Sequence, residues 1–156
     1  MLEHLELLIR HCENVKNNCE ILGEKLIVED KMEDFGVQLI ANGRIHDYSK
    51  FVGIEFQYLT TESKEKTPEL FKLALDQHNK INLHHPEAWS GGIKEMPDLY
   101  IAEMTADWLA RSAEFGNDFF EWVKDKATDK FKFVSSGRIY KTIKKYAEMI
   151  LTPKFK

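Results

Sequence analysis

The stretch LEHLELLIRHCENVKNNCEIL, residues 2–22, decides the fold class. Within it Leu5, Leu8, Ile9, Cys12, Val15, Cys19 and Leu22 recur at the i, i+3, i+4, i+7 spacing of one helix face. A long amphipathic helix is therefore predicted, stopped by Gly23, and its apolar stripe must lie against other helices. Working outward, a second helix is predicted over 31–44, running into RIHDYSKF, with a short helical piece over 51–60 and a polar loop at TESKEK. Thr67 as N-cap, Pro68 as first helical residue and Glu69 in the first turn open a further helix. It carries Leu70, Phe71, Leu73, Ala74 and Leu75 and ends near Asn82.

LHHPEAWSGG, residues 83–92, is broken by a proline and a glycine pair and reads as an irregular loop, the kind of segment that often carries binding groups. Pro97 restarts a helix that runs to Phe115 and stops at Gly116, followed by a short helix at 117–126 and a last one at 136–151, before Pro153. FKFV, residues 131–134, has the apolar density of a strand but no partner strand. The expected architecture is an all-α, single-domain helical bundle over residues 1–156, with no repeat or linker dividing it.

Composition bounds the function. With 156 residues, 43% hydrophobic and 31% charged, the chain has the make-up of one soluble domain. A chain of this length buries roughly 70% of its unfolded surface, so it stands without a structural metal, and any ion it holds serves function. The net charge of −4 argues against wholesale nucleic-acid coating. Residues 124–156 nevertheless hold ten Lys/Arg against Asp125, Asp129 and Glu148, a local balance of +7 that leaves −11 over the first 123 residues. With Phe131, Phe133, Tyr140 and Tyr146, this segment reads first as an amphipathic closing helix with a solvated lysine face, and second as a surface for single-stranded nucleic acid.

Glu3 and Glu6 stand where a signal peptide would carry positive charge, and no run approaches the ~18 apolar residues of a membrane span. A cytoplasmic setting without membrane contact is expected. Cys12 and Cys19, seven apart on one helix, are separated by about 10 Å of axial rise, beyond disulfide reach, and are expected as reduced thiols. P-loop, dinucleotide-binding, zincin and zinc-finger patterns are absent.

The chemistry gathers around the histidines. His46-Asp47 in RIHDYSK is joined by His4 and His11 upstream, and by His78, His84 and His85 downstream. Imidazoles with carboxylates are the mixed donor set of zinc, iron, manganese and related divalent ions. On a helix end, His46 and Asp47 would point about 100° apart, so both could reach one ion or Asp47 could bridge two. Lys50 follows Asp47 by three residues, and on a continuing turn it would hold a phosphate beside the metal.

H-D-x-x-K resembles the HD-domain superfamily of metal-dependent phosphohydrolases, whose signature is His, then His-Asp, then a distant Asp. HDYSKF, QHNKINLHHPEAW and EMTADW together resemble an uncharacterised family of small phage and bacterial HD-like proteins, over about residues 4–115. Residues 116–156 form a basic helical extension outside the resemblance. The resemblance implies His11 as first metal ligand, His46 and Asp47 as the central pair and Asp107 as the closing carboxylate, with His78 and His84 serving a second ion and His85 the competing choice. It implies one or two divalent transition-metal ions (Mn, Co, Zn, Fe or Ni) that activate water against a small phosphorylated substrate, a nucleotide first among them. Lys50 and Arg111 would neutralise the phosphate, and Asp47, Glu103 or Glu87 would accept the water's proton. Asn79, Asn82, His85, Glu87 and Trp89 are the further substrate contacts, alongside Lys50 and Arg111.

Each assignment competes with a plainer one. His11 lies on the flank of its helix's apolar stripe, where half-buried histidines are common, and His4 shares that flank in a fraying first turn. His78 falls on an apolar face, with Asn82 one turn on as its hydrogen-bond partner. His84 and His85 point in different directions, so one of them is expected to reach the site. Glu103, Asp107, Arg111 and Glu114 fit a solvated stripe of i,i+4 ion pairs, and Trp89 fits a loop anchor. Two rival functions stay open: an HD-type di-iron oxygenase, and a non-catalytic protein that sequesters a nucleotide.

Overall fold

In the computed structural model, which describes residues 1–153, the first helix (α1, Leu2–Val28) continues through Gly23, where the sequence predicted a stop. Packing is the reason. A Cβ on Gly23 would lie 2.7 Å from the Gly36 carbonyl oxygen, and one on Gly36 would lie 2.5 Å from that of Gly23. The two glycines therefore let α1 and α2 (Glu33–Arg44) approach to backbone contact. Helix α1 ends instead at Val28, and the chain turns at Lys31, φ 58°, where the Met32 N–H reaches back to the Leu26 carbonyl at 3.0 Å.

After α2 come a 3₁₀ turn (Tyr48–Phe51) and α3 (Gly53–Tyr58). TESKEK is a helix, α4 (Thr61–Lys66), and not the expected loop. Thr60 caps it by accepting from the Ser63 N–H at 3.0 Å, and Lys66 pairs with Glu62 one turn away at 2.7 Å, so a helix with little apolar periodicity still has its ends satisfied. Helix α5 (Pro68–Ile81) starts at Thr67-Pro68 as expected, although the Thr67 side chain makes no capping bond. Residues 83–92 form the expected irregular segment, with short 3₁₀ turns at Pro86–Ala88 and Gly92–Glu95.

Helix α6 (Asp98–Phe115) ends at Gly116, in the left-handed region at φ 72°. It packs against α1, α2 and α9 (Arg138–Leu151) and is buried on almost every face, from Ile101 and Met104 to Leu109 and Ala110. A helix so enclosed is the core of the bundle. The short helix expected at 117–126 extends further, as α7 (Phe119–Trp122), a π turn (Val123–Ala127) and α8 (Thr128–Phe131).

Helix α9 buries Ile139, Ile143, Tyr146, Ala147 and Ile150 and exposes Lys141, Lys144 and Lys145, the amphipathic closing helix that the composition favoured. The Lys25 ammonium, itself buried, donates to the Met149 carbonyl at 2.6 Å and to that of Thr152, satisfying the last turn of α9. Both cysteines are free thiols, and burial first, with nearby carboxylates second, pushes Cys12 up to about 12. The fold is all-α: no strand occurs among the described residues, FKFV included, and no described helix is long and apolar enough to cross a membrane. Lys154 and Lys156 of the basic segment lie outside the described residues.

Candidate metal centre

Helix α1 supplies His11, the turn after α2 supplies His46 and Asp47, α5 supplies His78, the irregular segment supplies His84 and His85, and α6 supplies Asp107. The central pair does not ride on a helix end, as the sequence suggested. Asp47 takes the left-handed conformation (φ 56°, ψ 22°), one that aspartate tolerates better than most residues and that gathers at functional sites. The 3₁₀ turn that follows carries the Lys50 ammonium back to Asp47 Oδ2 at 2.7 Å.

Asp47 is the hinge of the arrangement. Its Oδ2 lies 3.5 Å from His46 Nε2 and 4.0 Å from His11 Nε2, which is in turn 3.0 Å from Asp107 Oδ1. Its Oδ1 lies 3.4 Å from His78 Nε2 and 3.3 Å from His84 Nε2. His85 Nε2 stands 2.9 Å from His78 Nε2, so both histidines of the HH pair reach the centre. That corrects the expectation that only one would: the irregular backbone of 83–92 turns the two rings to within 4.3 Å of each other.

The outer nitrogens are held by carboxylates. His46 and His84 both present Nδ1 to Glu103 Oε1, at 3.0 and 3.2 Å. His11 Nδ1 donates to Glu114 at 2.9 Å, and His78 Nδ1 donates to Glu55 Oε2 at 2.9 Å. Carboxylates can only accept here, so Nδ1 carries the hydrogen in each case and Nε2 is turned inward. Glu55 is fully buried and is fixed by the Ser49 hydroxyl at 2.6 Å and the Gln77 amide at 3.1 Å.

Inside this ring, His11 Nε2, His46 Nε2, His84 Nε2 and Asp47 Oδ1 are buried without a hydrogen-bond partner. Buried polar atoms are seldom left so, and each one asks for an explanation. Ligands about 2.1 Å from an ion in tetrahedral or octahedral geometry stand roughly 3.0–3.4 Å from one another, close to the 3.0–4.0 Å separations here. The groups His11–His46–Asp47, His46–His84–Asp107 and Asp47–His78–His84–His85 each bring their donor atoms within 4.8 Å and can hold a metal ion.

The electrostatics agree. Burial alone would raise the carboxyls, yet the charges of His46, Lys50 and His84 hold Asp47 well below the usual range, and bonds from His46 and His84 hold Glu103 at about 2. Against its own burial, His84 is raised to about 10 by Asp47 and Glu103, while burial and the neighbouring His84 and His78 lower His85 to about 3. The carboxylates thus create a field that demands positive charge.

The other predicted residues divide. Asp107 and Glu103 are buried and belong to the centre, not to a solvated stripe. Glu103 is occupied by two imidazoles, which makes it a positioning residue and removes it as proton acceptor. A cleft of about 450 Å³ adjoins the centre, lined by Lys50, His78, Asn79, His85, Asp107 and Arg111, with His4 on its wall. A second cleft, of about 370 Å³, takes Asn79, His85, Glu87 and Arg111.

Asn82 and Trp89 line neither cleft. Asn82 donates to the His78 carbonyl at 2.9 Å and to Ser49 at 3.0 Å, closing α5. The Trp89 indole N–H donates to the Leu83 carbonyl at 2.9 Å while its ring packs on Tyr100, so it anchors the loop. Sequence reasoning missed Glu55 as the support of His78 and read Glu114 only as part of a charged stripe. Neither carried a spacing signal, because each partner lies on a distant segment. No curated protein and no solved structure matches the chain. Across residues 1–152 it fits the pattern of a family of unknown function, DUF5662, and the chain belongs to that family.

Proposed function

We propose that the protein is a metal-dependent phosphohydrolase of HD type, acting on a nucleotide or another small phosphate ester. The observation that carries this reading is the ring of inward, unpartnered Nε2 atoms around Asp47, each backed by a carboxylate, beside a cleft that presents Lys50 and Arg111. His11, His46, Asp47 and Asp107 would hold one ion, and Asp47, His78 and His84 with His85 a second. A divalent ion bound there supplies a Lewis acid that acidifies water and polarises a phosphoryl oxygen.

The chain's own groups do the rest. Lys50 and Arg111 receive the phosphate and offset the charge that grows on it. Asp47 and Asp107 are the carboxylates whose oxygens face the enclosed space, where they would hold the ion. Glu55, Glu103 and Glu114 keep each imidazole in the tautomer that offers Nε2.

The test is to measure bound metal in the purified protein and to screen nucleotides and generic phosphoesters with added manganese, cobalt, zinc or iron. Phosphate release that disappears in His46→Ala and Asp47→Ala proteins, with the fold retained, is the expected result. Equal turnover by wild type and variants refutes the assignment.

The sharing of Asp47 between two histidine clusters favours one further reading, a di-iron oxygenase. A mixed-valence iron signal with oxygen uptake and no phosphate release would establish that chemistry instead. Nucleotide affinity in metal-free protein, with no turnover under any metal, would leave the sequestering role.

A further inference from the structure

The second cleft is walled by a segment that the hydrolytic reading does not use. Phe115, at the end of α6, Trp122 of α7 and Phe131 of α8 line it together with Trp108. Trp108 stacks on Phe131 at 5.3 Å with 19° between the rings, and meets Trp122 edge-on at 5.1 Å. Trp122 and Phe131 are nine residues apart, which a uniform α-helix would place about half a turn apart, on opposite faces. The wider π turn Val123–Ala127 lies between them, and both rings come to the same tryptophan. Phe115 is 71% exposed, so it offers a free aromatic face on the rim.

Polar groups of complementary kinds stand among these rings. The amides of Asn79 and Asn117 and the Glu87 carboxylate line the cleft, supplying donors and acceptors for the edge of a planar heterocycle. The volume of about 370 Å³ lies at the small end of ligand pockets, right for a base or nucleoside and too small for a folded partner. Above all, Asn79, His85, Arg111 and Phe115 line this cleft and the one beside the metal centre alike. A ligand can therefore span the two, with Arg111 at the junction.

We propose that the aromatic cleft is a nucleobase subsite, built by the segment 115–131, which seats the base of a nucleotide while its phosphate lies against Lys50 and Arg111. The placement of the phosphate rests on the hydrolytic reading above; the seating of the base does not. Stacking on aromatic rings tolerates any base, and the amide and carboxylate groups then select among them. Phe115 and Trp122 are the positions through which affinity should be tunable.

The experiment uses the full-length protein in two arms. In the first, metal-free protein is titrated with adenosine and uridine 5′-monophosphates and with ribose 5-phosphate, followed by tryptophan fluorescence and calorimetry. At least one nucleotide should bind tenfold or more tightly than ribose 5-phosphate, and Phe115→Ala should reduce that advantage by about tenfold. Phe115 is on the surface, so its variant keeps the fold, and the wild-type comparison stands without any variant. Nucleotides that bind no better than ribose 5-phosphate overturn the subsite. In the second arm, manganese-loaded protein is assayed for phosphate release from the same three compounds. Release from ribose 5-phosphate at the same kcat/KM as from the nucleotides keeps the hydrolase and overturns the base subsite. A base-dependent affinity with no release from any of them keeps the subsite and overturns the hydrolase.

Discussion

Glu103 is the residue whose removal separates an ion-binding centre from an ordinary polar core. One of its oxygens accepts from the Nδ1 of both His46 and His84, at 3.0 and 3.2 Å, so a single side chain orients one imidazole of each half of the centre. Removing the outer partner of one metal-bound histidine costs about 10–100-fold in affinity. In Glu103→Ala each ion loses one such partner, so each affinity should fall roughly 10–100-fold, about 1.4–2.7 kcal/mol at 1.36 kcal/mol per decade. Glu103→Gln keeps an acceptor oxygen in the same place and removes only the charge, so its loss should lie near tenfold.

The assay is competition for zinc or manganese against a chromophoric chelator, with circular dichroism to show that each variant is folded. A folded Glu103→Ala protein that binds metal within twofold of wild type would refute the reasoning: the carboxylate would then be a neutraliser of buried histidines and nothing more.

Three more outcomes follow from the same geometry. His84 is held protonated up to about 10, so a proton competes with an ion for Nε2 at every pH below that. Metal affinity should therefore fall as pH falls, by about tenfold per unit and roughly 100-fold from pH 8 to pH 6, measured by the same chelator competition with protons released on binding. Lys25→Met removes the ammonium that closes α9 and should cost about 1–2 kcal/mol, seen as a melting temperature lower by roughly 2–6 °C. Gly36→Ala puts a methyl group 2.5 Å from the Gly23 carbonyl and from Ile27, and should destabilise the protein by about 1–3 kcal/mol in urea unfolding, against the small gain that alanine brings to an unconstrained helix.

The bundle was legible in the sequence, for a physical reason. Apolar periodicity reports which helix faces are buried, and it put α1, α5 and α6 close to where they are. His11 and Asp107 come instead from the resemblance to the His, His-Asp, Asp signature: periodicity leaves His11 on the flank of a stripe and Asp107 on a solvated face, and it is the enclosure of α6 that buries Asp107. Gly23 misled because glycine marks a helix end and a close helix crossing equally well, and only the partner, Gly36, decides between them. TESKEK misled because a short exposed helix is held by its cap and an ion pair rather than by burial. The positions of Glu55 and Glu114 depend on contacts across 23 and 103 residues of chain, and no local pattern encodes those.

The position of the candidate centre also leaves the fold able to stand with no ion bound. The apolar cluster runs through α1, α6 and α9, from Val15, Leu22 and Leu26 to Met104, Ile143 and Ile150, and none of its members is a candidate ligand. The donor atoms come from the N-terminal part of α1, the turn after α2, α5, the segment 83–92 and α6. Without a cation, the proton that Asp47 and Glu103 hold on His84 offsets part of the buried carboxylate charge, and a buried charge without such a partner would cost several kcal/mol. An ion bound among these donors would displace that proton, and its affinity would add to the stability of a bundle already held by the apolar cluster. The chain can thus be folded and empty, so substitution of a ligand reads out chemistry and not merely folding.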